Sequence, residues 1–188
     1  MRASYPWLLA GALSLVAVGP HVLSLSREPL MAGVRVYYGP HEGFARLDPD
    51  LIRTAKTRVD MAAYVLTERE IIDALDDVAA RGVKVRIYLD SVQMSRKRND
   101  GSMPIERLIN KPNIELLTKD AKQDMMHLKA FQVDGRILRS GSANFSYAGT
   151  HRQDNDIILI ENRTAVADFI KNFEEIWVRP GNQKVVVP

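Results

Sequence analysis

The 188-residue chain has no cysteine. Disulfides and cysteine-ligated zinc are thereby excluded, while the redox state of the compartment is left open. There is no His-x-x-x-His pair and no dense cluster of Asp and Glu, so the local signatures of a catalytic metal are missing and no cofactor is expected. Histidine is scarce, at His21, His41, His127 and His151. A surplus of one charge is also lacking. The 26 Lys and Arg against 23 Asp and Glu leave a net charge of +3, too little to imply a nucleic-acid partner on its own.

Long apolar runs are absent beyond the first 26 residues. Within them, Arg2 precedes the continuous apolar or small-residue stretch Trp7–Val18, which Gly19-Pro20-His21 interrupts before Val22–Ser26. This order fits a signal peptide over residues 1–26 and an exported, periplasmic or secreted protein. The alternative is membrane association through an uncleaved anchor, since residues 5–25 are long enough to span a bilayer. Residues 27–33 read as a linker, 34–180 as one globular domain, and 181–188 as a tail without evident role.

Apolar patterning gives strands at Val34–Tyr38, Val59–Leu66, Val83–Leu89, Ile114–Leu117, Met126–Val133, Arg136–Ser140 and Asp156–Ile160. Helices are expected at Leu47–Thr57, Glu68–Arg81, Met103–Asn110 and Thr164–Val178. The second has an apolar face of Ile71, Ile72, Leu75, Val78 and Ala79, a capping box from Thr67 and Glu70, and Gly82 as its stop. In the last, Val166, Phe169, Ile170, Phe173, Ile176 and Trp177 form a stripe that reads as core. Strands alternating with helices, then a run of strands, imply an α/β fold: a mixed sheet flanked by helices on both faces.

The densest chemistry lies between His127 and Asn144: His127, Lys129, Asp134, Gly141, Ser142 and Asn144, spaced as H-x-K-x4-D-x6-G-S-x-N. A phosphodiester needs a nucleophile that is neutral near pH 7, donors for its non-bridging oxygens, and an acid for its leaving oxygen. Histidine serves as nucleophile or acid. On a strand, residues i and i+2 share a face, so Lys129 is expected beside His127 to neutralise phosphoryl charge. Gly141 lets the backbone approach phosphate closely, and Ser142 and Asn144 add neutral donors. Asp134 stands at an odd offset from Lys129, before Gly135, and reads as an organiser of a turn and of nearby donors. Arg96-Lys97-Arg98 falls in an expected polar loop after the third strand, where it suits contacts to backbone phosphate.

This pattern resembles the phospholipase D superfamily. The resemblance covers about Val34 to Arg179, including Val59–Leu66 and Arg81–Asp90 as the family's first β-α-β stretch. It implies cleavage through a covalent phosphohistidine, with an acidic residue some 25 to 30 positions beyond the histidine to orient its ring. Asp154 is the first choice for that residue and Asp156 the second, where short nucleases of the family often have glutamate. The reaction uses two histidines, yet no other histidine here is followed by lysine two positions on. The resemblance therefore implies a homodimer with the site across a two-fold axis. The expected function is a metal-independent, non-specific endonuclease acting on DNA or RNA. The alternatives are a phospholipase D-type lipid hydrolase at a membrane surface, and an inactive nucleic-acid-binding module.

Overall fold

A computed structural model describes residues 33–99 and 103–186, the side chains of 97–99 excepted. The expected signal peptide or anchor, nearly all of the linker, and the last two residues lie outside the described residues. Eight strands form one sheet: β1 (Val34–Gly39), β2 (Arg58–Ala63), β3 (Lys84–Leu89), β4 (Ile114–Thr118), β5 (Lys129–Val133), β6 (Ile137–Ser140), β7 (Asn155–Ile160) and β8 (Gln183–Lys184). Their spatial order is β1-β7-β6-β5-β2-β3-β4-β8. β2, β3 and β4 run parallel, and the remaining pairings are antiparallel. The helices are α1 (Leu47–Arg53), α2 (Arg69–Ala80), α3 (Ser91–Asn99), α4 (Tyr147–His151) and α5 (Arg163–Trp177). The expected mixed sheet flanked by helices is what the chain forms.

Strand alternation divides the core between two faces. Val59, Met61, Val85, Ile87, Phe131 and Val133 are buried in one cluster with Ile52 of α1 and Ile72 and Leu75 of α2. Ala62 and Tyr88 face the other way, against Phe173 and Ile176 of α5. That second face also carries charge. Asp60 is fully buried and accepts from Arg58, Arg86 and Gln132, while both arginines reach Glu174 of α5. Burial pushes the Asp60 carboxyl above its ordinary value, against the hydrogen bonds from Arg58 and Gln132 that pull it down.

Several element ends differ from the sequence expectation for local reasons. α1 stops at Arg53, where the Thr54 hydroxyl turns back onto the Leu51 carbonyl. The N-cap of α2 is Glu68, with no side-chain cap bond, so the Thr67–Glu70 capping box does not form. Pro104 opens a 3-10 turn over Pro104–Leu108 in place of a helix. The tail at 181–188 is not idle. Gln183 and Lys184 pair with Thr118 and Leu117 as an edge strand, and Tyr88 donates to Asn182.

Candidate active site

The antiparallel register gathers the motif at one end of the sheet. The starts of β5 and β7 lie there, with the ends of β1, β2, β3, β4 and β6. His127 stands just before β5 rather than within a strand beginning at Met126, because regular pairing starts only at Lys129. The Tyr64 amide nevertheless donates to the Leu128 carbonyl and extends the alignment. Tyr64 then brings the two side chains together. Its ring meets the His127 imidazole edge-on, centroids 4.5 Å apart. The Lys129 ammonium sits 4.9 Å from the same ring centroid and donates to the His127 carbonyl at 2.8 Å. Lys129 is thus held by a π face and a carbonyl, with no carboxylate paired to it among the described residues. Burial lowers its pKa, and neighbouring Arg139 lowers it further.

Gly141 adopts φ +132°, and a Cβ there would strike the Asp156 backbone carbonyl. The backbone dihedral and the close approach both demand glycine. Ser142 donates its hydroxyl to Asp156 Oδ1, and the Asp156 amide returns a bond to Ser142 Oγ at 2.9 Å. The loop is fixed from beneath by Arg139, which is fully buried. Arg139 forks onto Asp48 at 2.8 and 2.7 Å and donates to the carbonyls of Lys129 and Ala143. Asn144 Oδ1 is buried with no partner among the described residues. A buried acceptor left bare is costly.

Asp134 belongs elsewhere. It follows β5 at the opposite end from His127, with φ 54°, and accepts from the amides of Lys56, Thr57 and Arg58 and from the Thr57 hydroxyl. Burial would raise its carboxyl, but these donors outweigh it and hold the pKa below its ordinary value. Asp134 organises that turn and takes no part in the His127 cluster. Asp154 is exposed and makes no hydrogen bond among the described residues. It rims a surface depression with Tyr38, Ser142 and Asp156. Neither aspartate forms a hydrogen bond or ion pair with His127 among the described residues, and Asp156 is the one joined to the Gly-Ser turn.

The basic run is helical, not a loop: Arg96, Lys97 and Arg98 lie in α3, with Arg96 exposed. Asp90 caps this helix by accepting from the Gln93 amide at 2.9 Å, and its other oxygen accepts from the Met126 amide at 2.9 Å. Asp90 therefore fixes both α3 and the residue before His127. Gln93 in turn donates to the Tyr64 hydroxyl at 2.8 Å. The spacing Asp90-x-x-Gln93 is a capping signal that foretells this helix. His151 closes α4, and its ring is 3.8 Å from Glu68. Among the described residues no group of His, Asp and Glu could hold a metal ion.

An exposed imidazole, a largely buried lysine, a glycine-tight turn and a buried amide oxygen at one end of a mixed sheet define a phosphodiesterase-type α/β site. The family model for the phospholipase D-like domain of cardiolipin synthase matches residues 49–177, and the chain belongs to the phospholipase D superfamily. It is 28% identical over 150 residues to a phospholipase D of Rickettsia bellii, covering 79% of this chain and 71% of that one. It is 24% identical over 128 residues to a mitochondrial cardiolipin hydrolase of Chlamydomonas reinhardtii, covering 68% and 55%. The crystal structure of Nuc, a phospholipase D family member from Salmonella typhimurium, superposes with a TM-score of 0.69 at 27% identity, covering 82% of this chain and 99% of that one.

Replacing Lys129 with methionine keeps the stem and removes the charge. We expect kcat to fall roughly 10²–10³-fold with little change in KM, as for a preorganised donor that acts on transition-state charge. Steady-state kinetics check this, and an unchanged kcat would remove Lys129 from the phosphoryl site.

Proposed function

We propose that the protein is an exported, metal-independent endonuclease that cleaves DNA or RNA at a homodimeric site with little sequence preference. His127 attacks phosphorus, and the bond to the leaving oxygen breaks. The partner subunit's His127, entering protonated, gives that oxygen its proton. Water then hydrolyses the phosphohistidine and returns a proton to the partner subunit's His127. The observation that carries this reading is the tie between α3 and the nucleophile: Asp90 and Gln93 fasten a helix rich in arginine and lysine to Met126 and Tyr64, which flank His127. Such a helix supplies sequence-independent affinity for a phosphate backbone. The match covers 99% of Nuc, which supports a compact form of the family.

A second reading rests on the exposed apolar side chains at the same end. Met125 and Leu128 beside His127 are 61% and 41% exposed, and Tyr38 is 69% exposed. They suit burial against a second copy, and they suit a lipid surface, as the names phospholipase D and cardiolipin hydrolase suggest. Among the described residues no helix is long and apolar enough to cross a membrane. The test is purified protein in EDTA offered DNA, RNA and phospholipid vesicles. Cleavage of nucleic acid with vesicles left intact is expected. Hydrolysis of lipid alone, or loss of activity restored by magnesium or zinc, overturns the proposal.

The dimer has its own test. Wild type is refolded together with excess His127→Ala, and activity is measured per wild-type chain. Mixed dimers should be dead, so that activity falls steeply as mutant is added. A constant value would show that each chain works alone.

A further inference from the structure

Tyr147 is 59% exposed although it stands three residues from Asn144. Its ring lies flat against His151, with centroids 4.2 Å apart and planes 13° from parallel. The Arg152 guanidinium is 5.9 Å from the same centroid. The pair is held on the frame of the active site. Ser146 caps α4 by accepting from the Gly149 amide. Gly149 packs so closely on Asn144 that a Cβ would meet the Asn144 carbonyl, and Asn155 donates to the Gly149 carbonyl at 3.0 Å. The His151 ring nitrogen meets the Thr150 hydroxyl at 2.9 Å and the Tyr147 carbonyl at 3.2 Å. Two aromatic rings are therefore ordered in solvent, outside every core cluster. The Cα of Tyr147 lies no more than about 11 Å from that of Asn144, given the reach of three residues.

We propose that the Tyr147–His151 stack, with Arg152 beside it, is a subsite for a nucleobase flanking the scissile phosphate, so that the preferred substrate is single-stranded nucleic acid. This rests on the nuclease reading and adds the strand form to it. Every base offers a π face to an aromatic platform whatever its sequence, and arginine adds attraction to both ring and phosphate. In a duplex those faces are already stacked, and exposing one costs unpairing energy. A preordered platform also loses little conformational entropy when it binds. An acyl chain gains nothing from ring planarity or from a guanidinium at the rim, so the features favour a base over lipid.

The experiment uses the full chain with two substrates of equal length: a single-stranded oligodeoxynucleotide, and the same backbone with a run of abasic sites. The readout is the ratio of their kcat/KM values. Tyr147→Ala should lower that ratio roughly 5- to 150-fold, the range for losing one base–aromatic stack, and Tyr147→Trp should restore it. An unchanged ratio in an active nuclease removes the subsite and leaves the nuclease reading standing. A fall in molecular mass with Tyr147→Ala assigns the stack to a subunit contact and overturns the proposal. So does an equal loss of hydrolysis on phosphatidylglycerol vesicles. Wild type that cuts no oligonucleotide overturns the nuclease reading and the subsite with it.

Discussion

His127→Ala should lower turnover on the order of 10⁴–10⁶-fold, the scale of losing a nucleophile outright, while the protein stays folded. Both halves follow from where the side chain sits. The imidazole is exposed, and its ring contact among the described residues is with Tyr64, so truncation opens no cavity in the core and destabilises by less than about 1 kcal/mol. Its backbone carbonyl still receives the Lys129 ammonium, so the cation keeps its place. The other two histidines among the described residues make their ring contacts elsewhere. His41 lies against Phe44 in the turn after β1, and His151 is engaged with Tyr147 and Glu68. Single-turnover assays and a thermal melt of the variant check the two halves separately. Residual activity above a few per cent of wild type would take the nucleophile's role from His127.

How much of this was legible in the sequence depended on distance along the chain. His127, Lys129, Ser142 and Asn144 announce themselves because their spacing is short and a hairpin folds them onto one sheet end. Phe169, Phe173 and Ile176 read as core because helical period is local. The failures have a common physical form. Met126–His127 was read as strand from its apolar neighbours, yet pairing there is limited to one bond from Tyr64. The basic run was read as a loop because charge obscured the Asp90 cap. Asp134 reads rightly as a turn organiser, but its place inside the motif gives no sign that an unbroken five-residue strand carries it to the far end of the sheet. Tyr64 looked like one more apolar strand residue. Only the pairing of β2 with β5 puts its ring under both His127 and Lys129. Asp60 stands in an apolar run with only Arg58 of its partners nearby, since Arg86 and Gln132 are separated from it by 26 and 72 residues.

Arg139 is the furthest from anything the sequence displays, and its replacement should have the largest effect on stability. Its partner Asp48 is 91 residues away. Both side chains are buried, with the guanidinium wholly inaccessible, and the Phe145 ring covers it at 4.6 Å. Removing one member of such a pair leaves an uncompensated buried charge, which costs about 3–5 kcal/mol. Arg139→Met should therefore lower the urea midpoint by that equivalent at fixed protein concentration, with the m-value unchanged. The carbonyls of Lys129 and Ala143 lose their donor in the same step, so turnover should fall as well, through loosened positions of the ammonium and of Asn144. Asp48→Leu combined with Arg139→Met removes both charges and should recover most of the stability, because an apolar pair of similar volume is tolerated where a lone charge is not. Activity should not recover in step, since the two carbonyls remain without their donor. A double variant no more stable than Arg139→Met would mean that packing, not charge, governs this site. A single variant within about 1 kcal/mol of wild type would mean that the pair does not hold the site at all.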